Sequence, residues 1–343
     1  MSRPRAWVEL CCGSAAVALR LVGGPHANPP IGMMGGKRGY SRVILSVLGL
    51  RQGLGADEVW LNDPGPWGAV WACLVTPGKA EEVAAIIRGW QGEEPRALWE
   101  RLKAEGWGEL TTADDAARMM LCGTWSYRPM QPESGFNSCV SGAKESTSAV
   151  GNWATVRPIT PEILASRVEA VARWLVCQWG SLHDGGPASA RVLDGIKRTQ
   201  EKGGERGPMS VESVASRLRP WPTPVRVYHG SALDVPIHDD CRGVYVYADP
   251  SYRHPDGTAT TGYAQNIYAE DLRERLLEWS ARGAVVCISD ARPLGGLMGD
   301  GWHQVEIGGE RVGQKRTFGN TREWLTLNRP PAWTPGVQVG LFG

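Results

Sequence analysis

The chain has no Cys-x-x-Cys pair, no histidine cluster beside its cysteines and no excess of charge of either sign. Its eight cysteines (Cys11, Cys12, Cys73, Cys122, Cys139, Cys177, Cys241 and Cys287) lie mostly inside apolar runs. That pattern reads as buried, reduced thiols and excludes a disulfide framework or a zinc site as the first expectation, so no metal is expected. With 37 Lys+Arg against 36 Asp+Glu, any basic face for a polyanion must be local. No run of about eighteen apolar residues occurs, and "MSRPRAWVELCCGS" has no long apolar core. The expectation is a soluble cytoplasmic protein with no membrane partner. No Gly-x-Gly-x-x-Gly follows the first strand, which argues against a dehydrogenase. There is no internal repeat. Phenylalanine is nearly missing, at 3 residues, whereas tryptophan reaches 16; that suits a GC-rich coding sequence or surfaces for stacking, and composition does not choose.

Strands alternating with helices are present at both ends of the chain. "AWVELCCGSAAVALRL" reads as strand, small-residue turn, helix. "MMGGKRGYSRVILSVLGL" reads as a glycine turn into a helix with Val43, Ile44, Val47 and Leu48 on one face, and "EVWLND" as a second strand. After residue 224 the alternation returns: "VRVYHGSALDV", "GVYVYADPSY", a helix over 270–282, "AVVCISD", then "WHQVEIGG" and "REWLTLN" as a final antiparallel pair. The stretch between lacks that alternation. Its helical candidates are 80–106, 111–122 and 161–180, the last opening on Thr160 as cap and Pro161 at the first helical position. The fold class expected is therefore α/β, a Rossmann-like sheet carrying a large, mainly helical and loop insertion. The divisions are 1–75 and 225–343 for the two parts of the core and 76–224 for the insertion.

In open α/β sheets ligands bind beyond the carboxyl ends of the strands. Here those ends are Glu9 to Gly13, Asn62 with Asp63, the turn from His229 to Asp234, the run from Asp249 to Tyr252, and Ser289 with Asp290. Asp249-Pro250-Ser251-Tyr252 suits a planar amine, with Asp249 and the Pro250 carbonyl as acceptors and Tyr252 stacked on the ring. It equally suits a plain strand-ending turn. "ELCCGSA" places small residues where backbone must approach a ligand, Gly13 being free to take positive φ. Asp63 is placed to accept from two ribose hydroxyls, or to form a turn or cap.

Together these pieces resemble the DNA amino-methyltransferases that use S-adenosylmethionine, particularly the adenine-N6 group with its phage-borne members. The matching motifs are "ELCCGSA", "MGGKRGY", "LNDPGPWG", "VYHGSALDV", "ADPSY" and "REWLTLN", covering roughly half the chain. The resemblance implies a class I methyltransferase sheet, S-adenosylmethionine as cofactor and double-stranded DNA as partner. It implies that Asp249 and Pro250 bind the target amino group, that Ser251 completes the catalytic tetrapeptide and that Tyr252 stacks on an extruded base. Glu9, Cys11, Gly13 and Ser14 would contact methionine or ribose, Asp63 the ribose hydroxyls, and Ser231 or Asp234 the cofactor adenine. Lys37 would lie near the methionyl carboxylate or the catalytic strand. The site of methylation, adenine N6 or cytosine N4, stays open, as does a non-catalytic binding module, for which Ser231 and Ser251 speak.

A base inside a duplex must be flipped out to reach such a pocket. The insertion offers Trp125, Arg128, Lys144, Arg157, Lys197 and Arg198 for DNA, and the loop after the tetrapeptide offers Arg253, His254 and Tyr263. The same mixed-charge stretches read equally as solvated surface. No familiar sequence-reading motif occurs in the insertion; a short or relaxed target site is expected.

Overall fold

The computed structural model describes residues 2–30, 37–108, 110–125, 211–253, 266–307 and 323–334. Seven strands form one mixed sheet: β1 (Ala6–Leu10), β2 (Glu58–Asp63), β3 (Val225–His229), β4 (Val244–Ala248), β5 (Val285–Asp290), β6 (His303–Glu306) and β7 (Trp324–Leu327). Their order is β3-β2-β1-β4-β5-β7-β6. The first five are parallel, and β7 runs antiparallel to both β5 and β6. The order reverses at β1, with β2 on one side and β4 on the other, which makes the β1/β4 boundary a topological switch point.

Central strands read as continuous apolar runs because both faces are covered. All five residues of β1 are buried, and alternate ones go to different cores. Trp7 faces α1 (Ala16–Gly23), α2 (Ser41–Val47) and α3 (Pro66–Val75), joined by Val59, Leu61 and Tyr247. Ala6, Val8 and Leu10 face the other side with Trp60, Val246 and Ile288. There Leu272, Leu276 and Trp279 of a helix spanning Ala269–Ala281 pack against them.

The described helices of the stretch 76–224 share the first of these cores. The helix expected over 80–106 is two helices, α4 (Lys79–Gly89) and α5 (Pro95–Glu105). The break has a local cause. Gly92 takes φ +92°, and Glu94 caps the second helix by accepting the N–H groups of Arg96 and Ala97, with Pro95 at its first position. Next come α6 (Ala113–Trp125) and α7 (Val211–Ala215), and both contribute to the cluster that holds Trp67 and Trp71 of α3. Beyond β4 lie α8 (Ala269–Ala281) and α9 (Gly295–Met298). The helix expected at 161–180 lies outside the described residues. No described helix is long and apolar enough to cross a membrane.

Candidate active site

The turn after β1 is held in a conformation that side chains other than glycine rarely adopt. Cys11, Gly13 and Ala15 all have positive φ, at 55°, 48° and 50°. Such backbone persists only where its surroundings over-determine it, and here they do. Cys12 N–H donates to the Asn62 carbonyl at 2.7 Å, Gly13 N–H to Asp63 Oδ2 at 2.9 Å, and the Trp71 indole to the Gly13 carbonyl at 2.7 Å. Asp63 Oδ1 takes the Gly65 N–H at 2.8 Å. Asn62 donates to the carbonyls of Tyr228 and Gly230 at 3.0 and 2.9 Å, tying in the end of β3.

Glu9 is buried, and its Oε2 accepts the Trp7 indole at 3.1 Å and the Ala18 N–H at 2.6 Å. Ala15, the residue before α1, brings no side-chain cap, so Glu9 satisfies an orphan donor of that helix from the neighbouring strand. Burial pushes the Glu9 carboxyl up to about 7 against those hydrogen bonds. Burial also raises Asp63, opposed by the N–H groups of Gly65 and Gly13. Ser14 is buried and Cys11 half-buried. Ser231 accepts the Leu233 N–H at 3.2 Å and caps a short 3-10 turn, while Asp234 is exposed.

At the end of β4 the arrangement is of another kind. Asp249 follows the β1–β4 ladder, its N–H donating to the Leu10 carbonyl at 3.1 Å. The parallel register sets Ala248 against Ile288, so Ser289 falls beside Asp249 and donates to Oδ1 at 2.9 Å. Lys37, in the short 3-10 turn before α2, reaches the same oxygen at 2.8 Å and is itself buried. Tyr252 approaches that oxygen at 3.1 Å but lies closer to Glu323 Oε1, at 2.5 Å. A phenol has one proton, so the shorter contact claims it. Lys37 is also 3.4 Å from Glu323 and stands over the Tyr252 ring, 4.7 Å from its centroid. Every side-chain donor described around Asp249 is on Oδ1, which leaves Oδ2 as its open acceptor among the described residues.

Burial raises the Glu323 carboxyl, opposed by the Lys37 ammonium and assisted by the Asp249 charge. Burial also holds the Tyr252 phenol well above its ordinary range, with Asp249 and Glu323 adding to the effect. Tyr252 is thus a neutral donor throughout the working pH range. Asp290, one residue past Ser289, is pushed up to about 6 by burial.

Lys37 therefore sits at the end of β4, beside Asp249. Pro250 and Ser251 are buried, and the Ser251 N–H donates to the Ile267 carbonyl at 2.8 Å. Arg253 stacks on Tyr268 at 3.8 Å and lies 3.9 Å from Glu270. Trp125, expected at a DNA surface, is buried at 2 % exposure in the helical core. Arg128, Lys144, Arg157, Lys197, Arg198, His254 and Tyr263 lie outside the described residues.

Glu323 was not found by sequence reasoning. It precedes the last strand, and only the reversal of β7 brings that strand's first residues to the edge where the parallel strands end. The signal was present in "REWLTLN", an acid entering a strand expected to be antiparallel. No protein-family model matches the chain, and no curated protein sequence matches it.

Proposed function

We propose that the protein is a DNA methyltransferase acting on the exocyclic amine of a flipped base, adenine N6 in the first place. The observation that carries this reading is the Asp249 carboxylate at the switch point. It is saturated on one oxygen by Lys37 and Ser289 and open on the other, beside the Tyr252 ring and next to the strained turn after β1. A carboxylate fixed in this way presents an acceptor to an N–H donor without reorganising.

The loops after β1, β2 and β3 suit S-adenosylmethionine in their donor set. Asp63 keeps a second lone pair on each oxygen after binding Gly13 and Gly65. Backbone from Cys11 to Ser14 would lie along the methionine and ribose, Asp63 would hold the ribose hydroxyls, and Ser231 or Asp234 would meet the adenine. When bound, this cofactor supplies a methyl group already activated on sulfur.

The chain's own residues then have defined work. Asp249 Oδ2 and the Pro250 carbonyl accept the amine protons and aim the nitrogen; Asp249 also offsets the positive charge that grows there. Tyr252 offers its ring to the unstacked base, recovering part of the few kcal/mol that flipping costs. Ser289 keeps the carboxylate from rotating. Of the residues expected to meet DNA, Trp125 and Arg253 are described, and Trp125 is buried in the helical core, which leaves Arg253. Sheet order and sheet-end chemistry support a class I methyltransferase fold for the core, with 76–224 as the DNA-engaging insertion.

Purified protein incubated with unmethylated duplex DNA and methyl-labelled S-adenosylmethionine tests the reading. Nucleoside mass spectrometry of the digested DNA is expected to give N6-methyladenine. N4-methylcytosine would move the target to cytosine, and cofactor binding without any methylated nucleoside would leave a binding module.

A further inference from the structure

Lys37 touches the two groups that the reading above assigns to an incoming base. Its ammonium is 2.8 Å from Asp249 and 4.7 Å from the centre of the Tyr252 ring. An amine offered to Asp249 by a ring stacked on Tyr252 would meet the same carboxylate and the same aromatic group. Lys37 and that amine therefore compete. A buried ammonium cannot be left without an anion, since the desolvation of both partners is recovered only by pairing. Glu323 supplies a second anion within reach, 3.4 Å from Lys37 Nζ, with its side chain only 10 % exposed. It also holds the Tyr252 hydroxyl at 2.5 Å, which keeps the ring in place whichever carboxylate Lys37 favours.

We propose that Lys37 is a placeholder for the target amine, and that Glu323 is a positioning residue: the counter-ion onto which the Lys37 ammonium moves when the amine reaches Asp249. The proposal rests on the reading of the site as one that takes an amino-bearing base. No covalent bond changes in this step. One ion pair shortens as another lengthens, and the amine fills the place given up. The register of the sheet makes the exchange available, because antiparallel β7 delivers Glu323 to the edge where parallel β4 delivers Asp249.

The test uses Glu323→Gln, which keeps the shape and a hydrogen-bond acceptor for Tyr252 but removes the charge. Lys37 is then held more firmly by Asp249 and competes better. The KM for duplex DNA and the calorimetric Kd for free adenine are expected to rise at least about tenfold, with the loss in KM rather than kcat and S-adenosylmethionine affinity unchanged. Adding Lys37→Met to that variant removes the competitor and is expected to bring both constants back to within about threefold of the native protein. A merely structural Glu323 predicts a second loss there instead of a recovery. Lys37→Met alone is expected to tighten adenine binding, and it serves if the glutamine variant does not fold. Unchanged constants in Glu323→Gln, no recovery in the double variant, or weaker adenine binding in Lys37→Met would each overturn the placeholder while leaving native methylation intact. A native protein that neither methylates DNA nor binds adenine would bring down the functional reading and the placeholder with it.

Discussion

Asp63 and Asp249 end the two strands that flank β1, yet the fold treats them in opposite ways. Asp63 is gripped by backbone: Gly13 N–H on one oxygen and Gly65 N–H on the other. Asp249 is gripped by side chains alone, all on one oxygen. Backbone donors are set by the path of the chain and lock that path in return. Side-chain donors can exchange partners, so a carboxylate held by them can accept a newcomer. The first acid locks the turn after β1; the second keeps an open acceptor oxygen among the described residues.

The sharpest way to break this contrast is Asp249→Ala. Methyl transfer to DNA, followed with labelled cofactor, is expected to fall by about a thousandfold or more, as when a transition-state partner is removed. The far-ultraviolet circular dichroism should not change. Retained transfer would place the chemistry elsewhere.

Glu9 adds a second test from the structural side. Its carboxyl lies at about 7 in the folded chain against an ordinary 4.5, so the folded state binds this proton more tightly than the unfolded state. That stabilisation is complete below about pH 4.5 and is lost as pH rises through about 7. The contribution is at most about 3–4 kcal/mol, from the rise from 4.5 to about 7. Urea unfolding across this range should show a falling slope that Glu9→Gln removes.

Asp63→Ala strips two buried N–H groups of their acceptor and should lower unfolding stability by about 2–3 kcal/mol. S-adenosylmethionine binding should weaken with it, since the turn at Cys11, Gly13 and Ala15 loses a restraint. Equal stability in Asp63→Ala and native protein would erase the distinction between the two acids. A further test is Gly68 in α3, where a methyl group would run into the Asp63 backbone carbonyl oxygen and approach His229 to 2.8 Å, so the backbone itself must shift. Gly68→Ala should destabilise by about 1–3 kcal/mol through overpacking, as read in a melting curve.

Much of this was legible in the linear chain. All seven strands fall where alternation and flanking turns put them; the central ones, covered on both faces, need continuous apolar runs, and those are visible in "AWVEL" or "VYVYA", whereas the edge strand "VRVYH" alternates and stays partly exposed. Asp249, Tyr252, Gly13 and Asp63 lie at or just past strand ends, where they were expected, because they follow such runs. The two helices at Lys79–Gly89 and Pro95–Glu105 read as one, since the signals of Gly92, Glu94 and Pro95 were outweighed by a helical pattern running through them. Trp125 looked like a surface ring because it borders a polar stretch; in the fold it closes the helical core.

What the chain determined alone was where each strand stops and which residue stands at its end, since strand length and turn chemistry act between neighbours in sequence. Which of those ends meet was decided only in three dimensions. The reversal of β7 set Glu323 on the side of Asp249, and the turn before α2 brought Lys37 to both, contacts spanning 212 and 286 residues that depend on strand order and burial rather than on any local preference.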